Sequence, residues 1–118
     1  MCGIAGIFGN FGNNLNKKKI KILKKEMSIR GPDNFGKIFF DVKNGKKINF
    51  FHSRLKIIDP DLKSNQPMKD EQGILIFNGM IYNYIEIKKK LKKKKILFKT
   101  KSDTEVLLKF LNFYGPKK

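Results

Sequence analysis

The residue best suited to chemistry is Cys2, the single cysteine in a chain of 118 residues. Removal of Met1 would place its thiol beside a free α-amino group. Such an amine titrates near ~7.7–8.0, so part of it is neutral at pH 7, whereas a lysine near ~10.4 is almost fully protonated. The neutral amine can take the thiol proton, directly or through one water. This arrangement predicts nucleophilic catalysis without a histidine; a small hydrophobic residue at the start of a strand is the alternative.

His52 offers a competing mechanism, because it is the only histidine and lies two residues before Arg54. A Cys2–His52 dyad would activate the thiol by the usual cysteine–histidine route. Capping the amine of the cysteine should abolish catalysis under the first mechanism, whereas His52→Ala should abolish it under the second. A histidine packed in a strand, with no chemical role, is the third interpretation.

The two arginines stand out because the other 25 of the 27 basic residues are lysine. A planar guanidinium presents parallel donors that an ammonium cannot reproduce, so lysine would not be equivalent to arginine at position 54. A surface ion pair at a strand end is the alternative for Arg54. For Arg30 we expect a structural role in shaping the turn at Gly31-Pro32.

Asn78 and Gly79 follow an apolar segment and, taken alone, predict a strand that ends in an Asn-Gly turn. The residues Ser102 to Glu105 fit a capping box, in which the serine hydroxyl and the glutamate carboxylate each accept from an orphan backbone donor. Asp103 would then lie in the first helical turn, where the helix dipole favours an acidic residue.

The composition predicts one globular domain, with 40% hydrophobic residues and 11 phenylalanines. A single cysteine favours a reducing compartment, and the sequence predicts neither a leader nor a membrane span, so we expect a cytoplasmic protein. The formal charge of +17 suggests a polyanion partner. However, the lysine run at 88–95 lacks the arginines and interleaved aromatic residues typical of nucleic-acid binding, which is therefore not expected.

The elements that must position these residues follow from apolar spacing and turn residues. Strands are predicted at 2–8, 37–42, 48–53 and 74–77. Helices are predicted at 17–28 and 82–94, with lysines outward, and a third helix begins near Asp103. The apolar faces of the first two helices contain residues at helical spacing: Ile20, Leu23 and Met27, and then Tyr84, Ile87 and Leu91.

Seven ordered motifs, from residue 1 to about residue 108, carry a family resemblance. They are Met1-Cys2-Gly3-Ile4-Ala5-Gly6, Arg30-Gly31-Pro32-Asp33, His52-Ser53-Arg54-Leu55 with Ile57-Ile58-Asp59, Gln66-Pro67-Met68, Phe77-Asn78-Gly79, Ile81-Tyr82-Asn83-Tyr84 and Ser102-Asp103-Thr104-Glu105. Together they resemble the glutaminase domain of glutamine-hydrolysing asparagine synthetase, a class II glutamine amidotransferase. Gln66-Pro67-Met68 is interpreted as shaping a loop, with no chemical role.

The resemblance implies an α+β fold of the N-terminal nucleophile hydrolase type, a four-layer αββα sandwich of antiparallel sheets. Residues 1–118 would be the N-terminal part of a glutamine amidotransferase type 2 domain, with the sandwich incomplete at its C-terminus. Cys2 would attack the carboxamide of glutamine, form a thioester and release ammonia.

The resemblance also implies the roles of four other residues in the site. Arg54 would bind the α-carboxylate of glutamine, and Asn78 with the backbone N–H of Gly79 would form the oxyanion hole, with Asn78 also contacting the substrate. Asp103 would bind the α-ammonium group. Met80 departs from the family pattern, which has a glutamate that helps to hold this ammonium, so we expect weak use of glutamine.

The same resemblance implies a C-terminal synthetase domain that is absent here. That domain would bind ATP and magnesium and make asparagine from aspartate; the glutaminase half would need no metal or organic cofactor. The partners considered are glutamine, the synthetase domain and a second copy of the chain. A competing hypothesis is a truncated or decayed chain that acts as a non-catalytic, basic binding module.

Overall fold

The computed structural model describes residues 1–10 and 17–116. Its strands form a three-stranded antiparallel sheet in the order β1-β3-β2 and a two-stranded antiparallel sheet of β4 and β5. The predicted α+β class with antiparallel sheets is therefore confirmed. The elements in chain order are β1 (Gly3–Gly9), α1 (Lys17–Ser28), β2 (Asn34–Asp41), β3 (Lys47–Arg54), β4 (Met68–Lys69), β5 (Ile74–Leu75), α2 (Tyr84–Lys93) and α3 (Asp103–Tyr114).

The central strand β3 separates two faces of the larger sheet, because successive side chains of a strand point to opposite sides. On one face Phe51 is fully buried, and its ring lies 6.1 Å from that of Phe35 and 5.9 Å from that of Phe39. Helix α1 packs on the same sheet and buries Met27. On the other face His52 is fully buried and contacts Phe77, beyond β5.

The helices confirm the predicted apolar faces. Helix α1 has the predicted bounds, and α2 buries Leu91 while its lysines mostly point to solvent. Lys88 is the exception, since its ammonium donates to the carbonyl of Thr100 at 2.6 Å. Helix α3 packs against α2, β4 and β5 and buries Val106 and Leu108. Across the described ranges, we find no helix with both the length and the apolar character needed to cross a membrane.

Three predicted elements differ from the structure by two or three residues at one end, and one short strand was not predicted. Strand β2 begins at Asn34, three residues before the predicted start, because pairing with β3 continues through Gly36 despite its poor strand propensity. Strand β5 ends at Leu75, and the short strand β4 that pairs with it was missed. Helix α2 begins at Tyr84, after a turn over the two residues predicted to open it.

The predicted capping box is half right. Ser102 Oγ accepts from the N–H of Thr104 at 3.1 Å, as expected for an N-cap. The carboxylate of Glu105 instead accepts from the N–H groups of Lys99 and Thr100, at 2.9 and 2.7 Å. The glutamate therefore holds the loop that leads into α3 rather than the backbone of the cap residue.

Candidate active site

Cys2 lies just before β1, against the last residues of β3. Its sulphur accepts a hydrogen bond from the N–H of Leu55 at 3.3 Å, and its thiol lies 3.7 Å from the carbonyl oxygen of the same residue. The carbonyl of Cys2 accepts from Nε of Arg30 at 3.3 Å. The half-buried thiol is thus held beside the residue that follows Arg54.

Two glycines allow this close packing at the end of β3. Gly3 pairs with Ser53 across the sheet, and a Cβ on Gly3 would lie 2.7 Å from the hydroxyl oxygen of Ser53. A Cβ on Gly31 would lie 2.5 Å from the carbonyl carbon and oxygen of the same serine. A larger residue at Gly31 would therefore push the backbone next to Arg30 away from β3, whereas at Gly3 the hydroxyl of Ser53 would have to rotate away.

Arg54 is buried, with 6% of its surface exposed, so the interpretation as a surface ion pair was wrong. Its guanidinium donates to the carbonyl of Asp61 at 3.0 Å, to the side-chain carbonyl of Asn65 at 2.8 Å and to the carbonyl of Asp59. A guanidinium has five N–H donors. Two therefore remain for a ligand after these three bonds.

The loop that holds Arg54 is itself fixed by the buried carboxylate of Asp59. This carboxylate accepts from Ser64 Oγ at 2.6 Å and from the N–H groups of Asp61 and Lys101 at 3.1 and 2.9 Å. The Ser64 hydroxyl bond, opposed by burial and aided by the backbone donors and the charge of Arg54, lowers the pKa of Asp59 below its usual value. The ionised carboxylate joins the Arg54 loop to the residues that precede α3.

Arg30 does more than shape a turn, the role expected for it. Its Nε contact with the carbonyl of Cys2 makes it part of the support of the candidate nucleophile. The signal that pointed to it was the use of arginine in a chain where nearly every other basic residue is lysine. Its partner could not be read from sequence, because 28 residues separate the two groups.

Asn78, Gly79 and Met80 lie on an exposed segment that belongs to no helix or strand. A Cβ on Gly79 would meet the ring of Phe77 at 2.7 Å, so the backbone passes close to that ring. Met80 is 47% exposed, which leaves its side chain open to solvent. The predicted oxyanion-hole residues are therefore accessible, and their position depends on what holds the neighbouring backbone.

Asp103 is one of the groups that hold this segment. It is buried at the first position of α3, and its Oδ2 accepts from the N–H of Ile81 at 3.2 Å. A carboxylate can accept several hydrogen bonds, so this contact is compatible with a second donor from a ligand. The structure thus connects Asp103 to the backbone two residues after Gly79.

His52 has its own partner in the fold. Its Nε2 lies 3.3 Å from the carbonyl oxygen of Phe77, and since a carbonyl only accepts, Nε2 must carry the proton. Burial, reinforced by the positive charge of Arg54, lowers the pKa of His52 despite the bond to Phe77. The thiol of Cys2 contacts Leu55 instead. These separate contacts favour the packed-histidine interpretation over the Cys2–His52 dyad.

Three cavities lie elsewhere on the molecule, with volumes of about 540, 810 and 410 Å³. The first lies between α3 and the β4–β5 sheet, the second beside the lysines of α2, and the third next to β5. None of the three is lined by Cys2, Arg54, Asn78, Gly79 or Asp103. We therefore describe the candidate site by its hydrogen bonds.

Comparison with known proteins gives a family match over the whole chain. A family model described as a glutamine amidotransferase domain matches residues 1–118. The putative asparagine synthetase 2 of Methanocaldococcus jannaschii is 37% identical over 98% of this chain, and asparagine synthetase 1 of Bacillus subtilis is 39% identical over 97%. The glutamine–fructose-6-phosphate aminotransferase of Campylobacter jejuni is 32% identical over 98%.

The chain spans only part of the length of these relatives. It covers 24% of the M. jannaschii protein, 18% of the B. subtilis protein and 23% of the C. jejuni protein. The shared region is thus a minor part of each relative.

Proposed function

Because this chain belongs to the glutamine amidotransferase domain family, we propose that it hydrolyses glutamine through a thioester on Cys2. The observation that supports this most directly is the contact of the Cys2 thiol with Leu55, the residue that follows the buried Arg54 in the chain. The edge of the sheet where β1 begins and β3 ends would thus supply both the nucleophile and a group that recognises the amino-acid end of the substrate.

In the proposed reaction Met1 is first removed, and the amine of Cys2 takes the thiol proton. The thiolate attacks the carboxamide carbon of glutamine, and the negative charge that develops on oxygen is stabilised by the side chain of Asn78 and the N–H of Gly79. The C–N bond breaks, and ammonia leaves with the proton from the amine. Water then attacks the thioester, releases glutamate and restores the thiol.

The α-groups of glutamine would be held by two residues that the fold already uses. The two remaining donors of Arg54 would bind the α-carboxylate as a planar pair. Asp103 would accept from the α-ammonium while keeping its bond to Ile81. Met80 supplies no charge where the family pattern has glutamate, so we expect the ammonium to be held less tightly than is usual for the family.

We further propose that the ammonia is used for asparagine synthesis, as the names of the M. jannaschii and B. subtilis relatives suggest. ATP and magnesium would act in a synthetase domain outside the described residues, and no step above uses them. The C. jejuni relative is named for fructose 6-phosphate, so relatives of this chain differ in their named acceptors. Cytoplasmic location and pairing with a second copy stay predictions.

Mass spectrometry of the purified chain, before and after exposure to a diazoketone analogue of glutamine, tests the proposal. We expect loss of Met1 and a single adduct on Cys2, with excess glutamine slowing the labelling. Arg54→Lys keeps the charge but loses the planar pair of donors, so it should weaken protection by glutamine more than Lys56→Arg does. Retained Met1 with an unlabelled Cys2 would refute the proposed function and favour a non-catalytic role.

A further inference from the structure

Phe77, the residue before Asn78, has both of its backbone hydrogen-bonding groups held by side chains from other parts of the chain. Its N–H donates to Oε1 of Gln66 at 2.6 Å, and its carbonyl accepts from Nε2 of His52 at 3.3 Å. No sheet pairing includes this residue, because β5 ends at Leu75. We refer to these two bonds as the Phe77 clamp.

We propose that Gln66 and His52 are positioning residues for glutamine hydrolysis, acting through the Phe77 clamp. The N–H of Phe77 belongs to one peptide plane and its carbonyl to the next, which also contains the nitrogen and Cα of Asn78. Holding both planes fixes the backbone torsions of Phe77 and hence the direction in which the chain continues. The clamp thereby sets where the donors of Asn78 and Gly79 lie. This inference rests on the proposed function.

Both side chains of the clamp are buried. Gln66 is 6% exposed and His52 is fully buried, so these two side chains have little water to replace a lost partner. The amide nitrogen of Gln66 also donates to Thr104 Oγ1 at 3.2 Å, on the first turn of α3. The position of Gln66 against β2 requires glycine at position 36, because a Cβ there would clash with the carbonyl oxygen of Gln66.

The clamp joins the proposed oxyanion hole to the elements that bind the rest of the substrate. His52 is on β3, two residues before Arg54, and Thr104 follows Asp103 on α3. Ile81, on the far side of Gly79, is held by Asp103 itself. The exposed segment is therefore fastened at both ends to the strand and the helix that carry the proposed α-carboxylate and α-ammonium ligands.

The primary test compares Gln66→Leu with Gln66→Glu in the full chain, measuring glutamate release. Leucine has a similar size but cannot accept from Phe77, and the displaced donors should lower kcat by about 10²-fold. The KM for glutamine should change less than about threefold, because Arg54 and Asp103 would keep their contacts. Glutamate keeps the acceptor and should restore kcat to within about tenfold of the unmodified chain.

His52 provides a second pair, His52→Leu and His52→Gln. The amide nitrogen of glutamine reaches about as far as Nε2 of histidine and can donate to Phe77, so it should restore most of the kcat lost with leucine. A glutamine side chain cannot act as a general base. Loss of activity in both variants would therefore favour the Cys2–His52 dyad and overturn the role proposed for His52.

Asn112→Leu is the matched control for loss of a part-buried side-chain hydrogen bond. Asn112 donates to Asp70 at 2.7 Å, nine residues along α3 from Asp103, which is about 13 Å. It should lower the stability without changing kcat. A kcat in Gln66→Leu equal to that of this control would overturn the proposal, as would a loss that Gln66→Glu does not restore.

Hydrogen exchange at the Phe77 amide separates the clamp from the catalytic proposal. In the unmodified chain this amide should exchange slowly, and Gln66→Leu should speed its exchange by at least about tenfold relative to that of Phe51 in β3. Fast exchange in the unmodified chain would refute the clamp. An unmodified chain that neither hydrolyses glutamine nor labels at Cys2 would refute the proposed function instead.

Discussion

The two halves of the candidate site are built by different means. Cys2 and Arg54 lie at the ends of paired strands, where a continuous ladder of backbone hydrogen bonds sets their spacing. Asn78 lies on a segment outside every helix and strand, whose neighbours are fastened by a few buried side chains. A ladder shares its stabilisation over many bonds, whereas the segment depends on individual side chains. Single substitutions should therefore displace the Asn78 segment more easily than they displace Cys2 or Arg54. We call the part that contains Cys2 and Arg54 the strand-built half, and the part that contains Asn78 the segment-built half.

The largest expected effect is on the strand-built half and its proposed nucleophile. Cys2→Ala removes the thiol and should reduce glutamate release by about 10⁴-fold or more. Blocking the α-amine with a non-removable extension keeps the thiol but removes the base, and the loss should be about 10²–10⁴-fold. Unchanged release from the blocked chain would show that the amine is not the base.

Gly36→Ala should cause the largest loss of stability, because Gly36 lies where the two halves meet. The added Cβ would overlap the backbone carbonyl oxygen of Gln66, so the backbone of the residue whose side chain holds Phe77 would have to shift. We expect a loss of about 3 kcal/mol or more in the free energy of unfolding, measured by urea denaturation. Gly6→Ala is the control, since its Cβ meets only the ring of Phe50 at 3.3 Å. Equal losses would show that the halves do not pack as described.

Met80→Glu should improve substrate binding by the segment-built half without altering its backbone. A carboxylate near the α-ammonium would add a charge-assisted hydrogen bond worth about 1–3 kcal/mol, or about five- to 150-fold in the KM for glutamine. Met80→Gln is the uncharged control of similar size and should give a smaller change. The absence of any gain with glutamate would contradict the expected weakness in ammonium binding.

The smallest expected effect is a pH dependence of stability that originates at His52, where the halves are joined. Its folded pKa lies below 6.5, so below this value the unfolded chain takes up a proton that the folded chain resists. The contribution of neutral His52 to the free energy of unfolding is present above pH 6.5. It decreases as the pH falls toward 5, by at most about 1.4 kcal/mol per pH unit. Urea denaturation across this range should show the slope, and His52→Gln should remove it. Asp59 has a lowered pKa, so its titration changes the stability only below about pH 4 and does not interfere with this measurement.

The parts of the fold that depend on local spacing could be predicted from sequence. The apolar residues Ile20, Leu23 and Met27 gave the bounds of α1, and Ser102 gave the start of α3. Strand ends were less accurate where pairing across the sheet overrode propensity, as at Gly36. The local sequence pattern is therefore sufficient to predict the bounds of an element whose stabilising contacts lie within a few residues.

The contacts between distant residues could not be predicted in this way. Gln66 was interpreted as shaping a loop, yet its side chain reaches residues 11 and 38 positions away. Glu105 was predicted to cap its own helix and instead binds the preceding loop, because Lys99 and Thr100 offer backbone donors that no helix or sheet uses. The hydrogen-bond partner of a buried amide or carboxylate depends on which residues the tertiary fold brings near it. The spacing of residues in the sequence does not show which residues those are.

The contact between Arg30 and Cys2 has a consequence for maturation. Arg30 binds the carbonyl of Cys2, and the pairing of β1 begins at Gly3. Met1 precedes both and is 74% exposed. Cleavage of Met1 would therefore leave every one of these bonds intact. Under the proposed mechanism, the uncleaved chain should be a folded zymogen with the same melting temperature as the mature form, since cleavage would expose the amine of Cys2 and leave the fold unchanged.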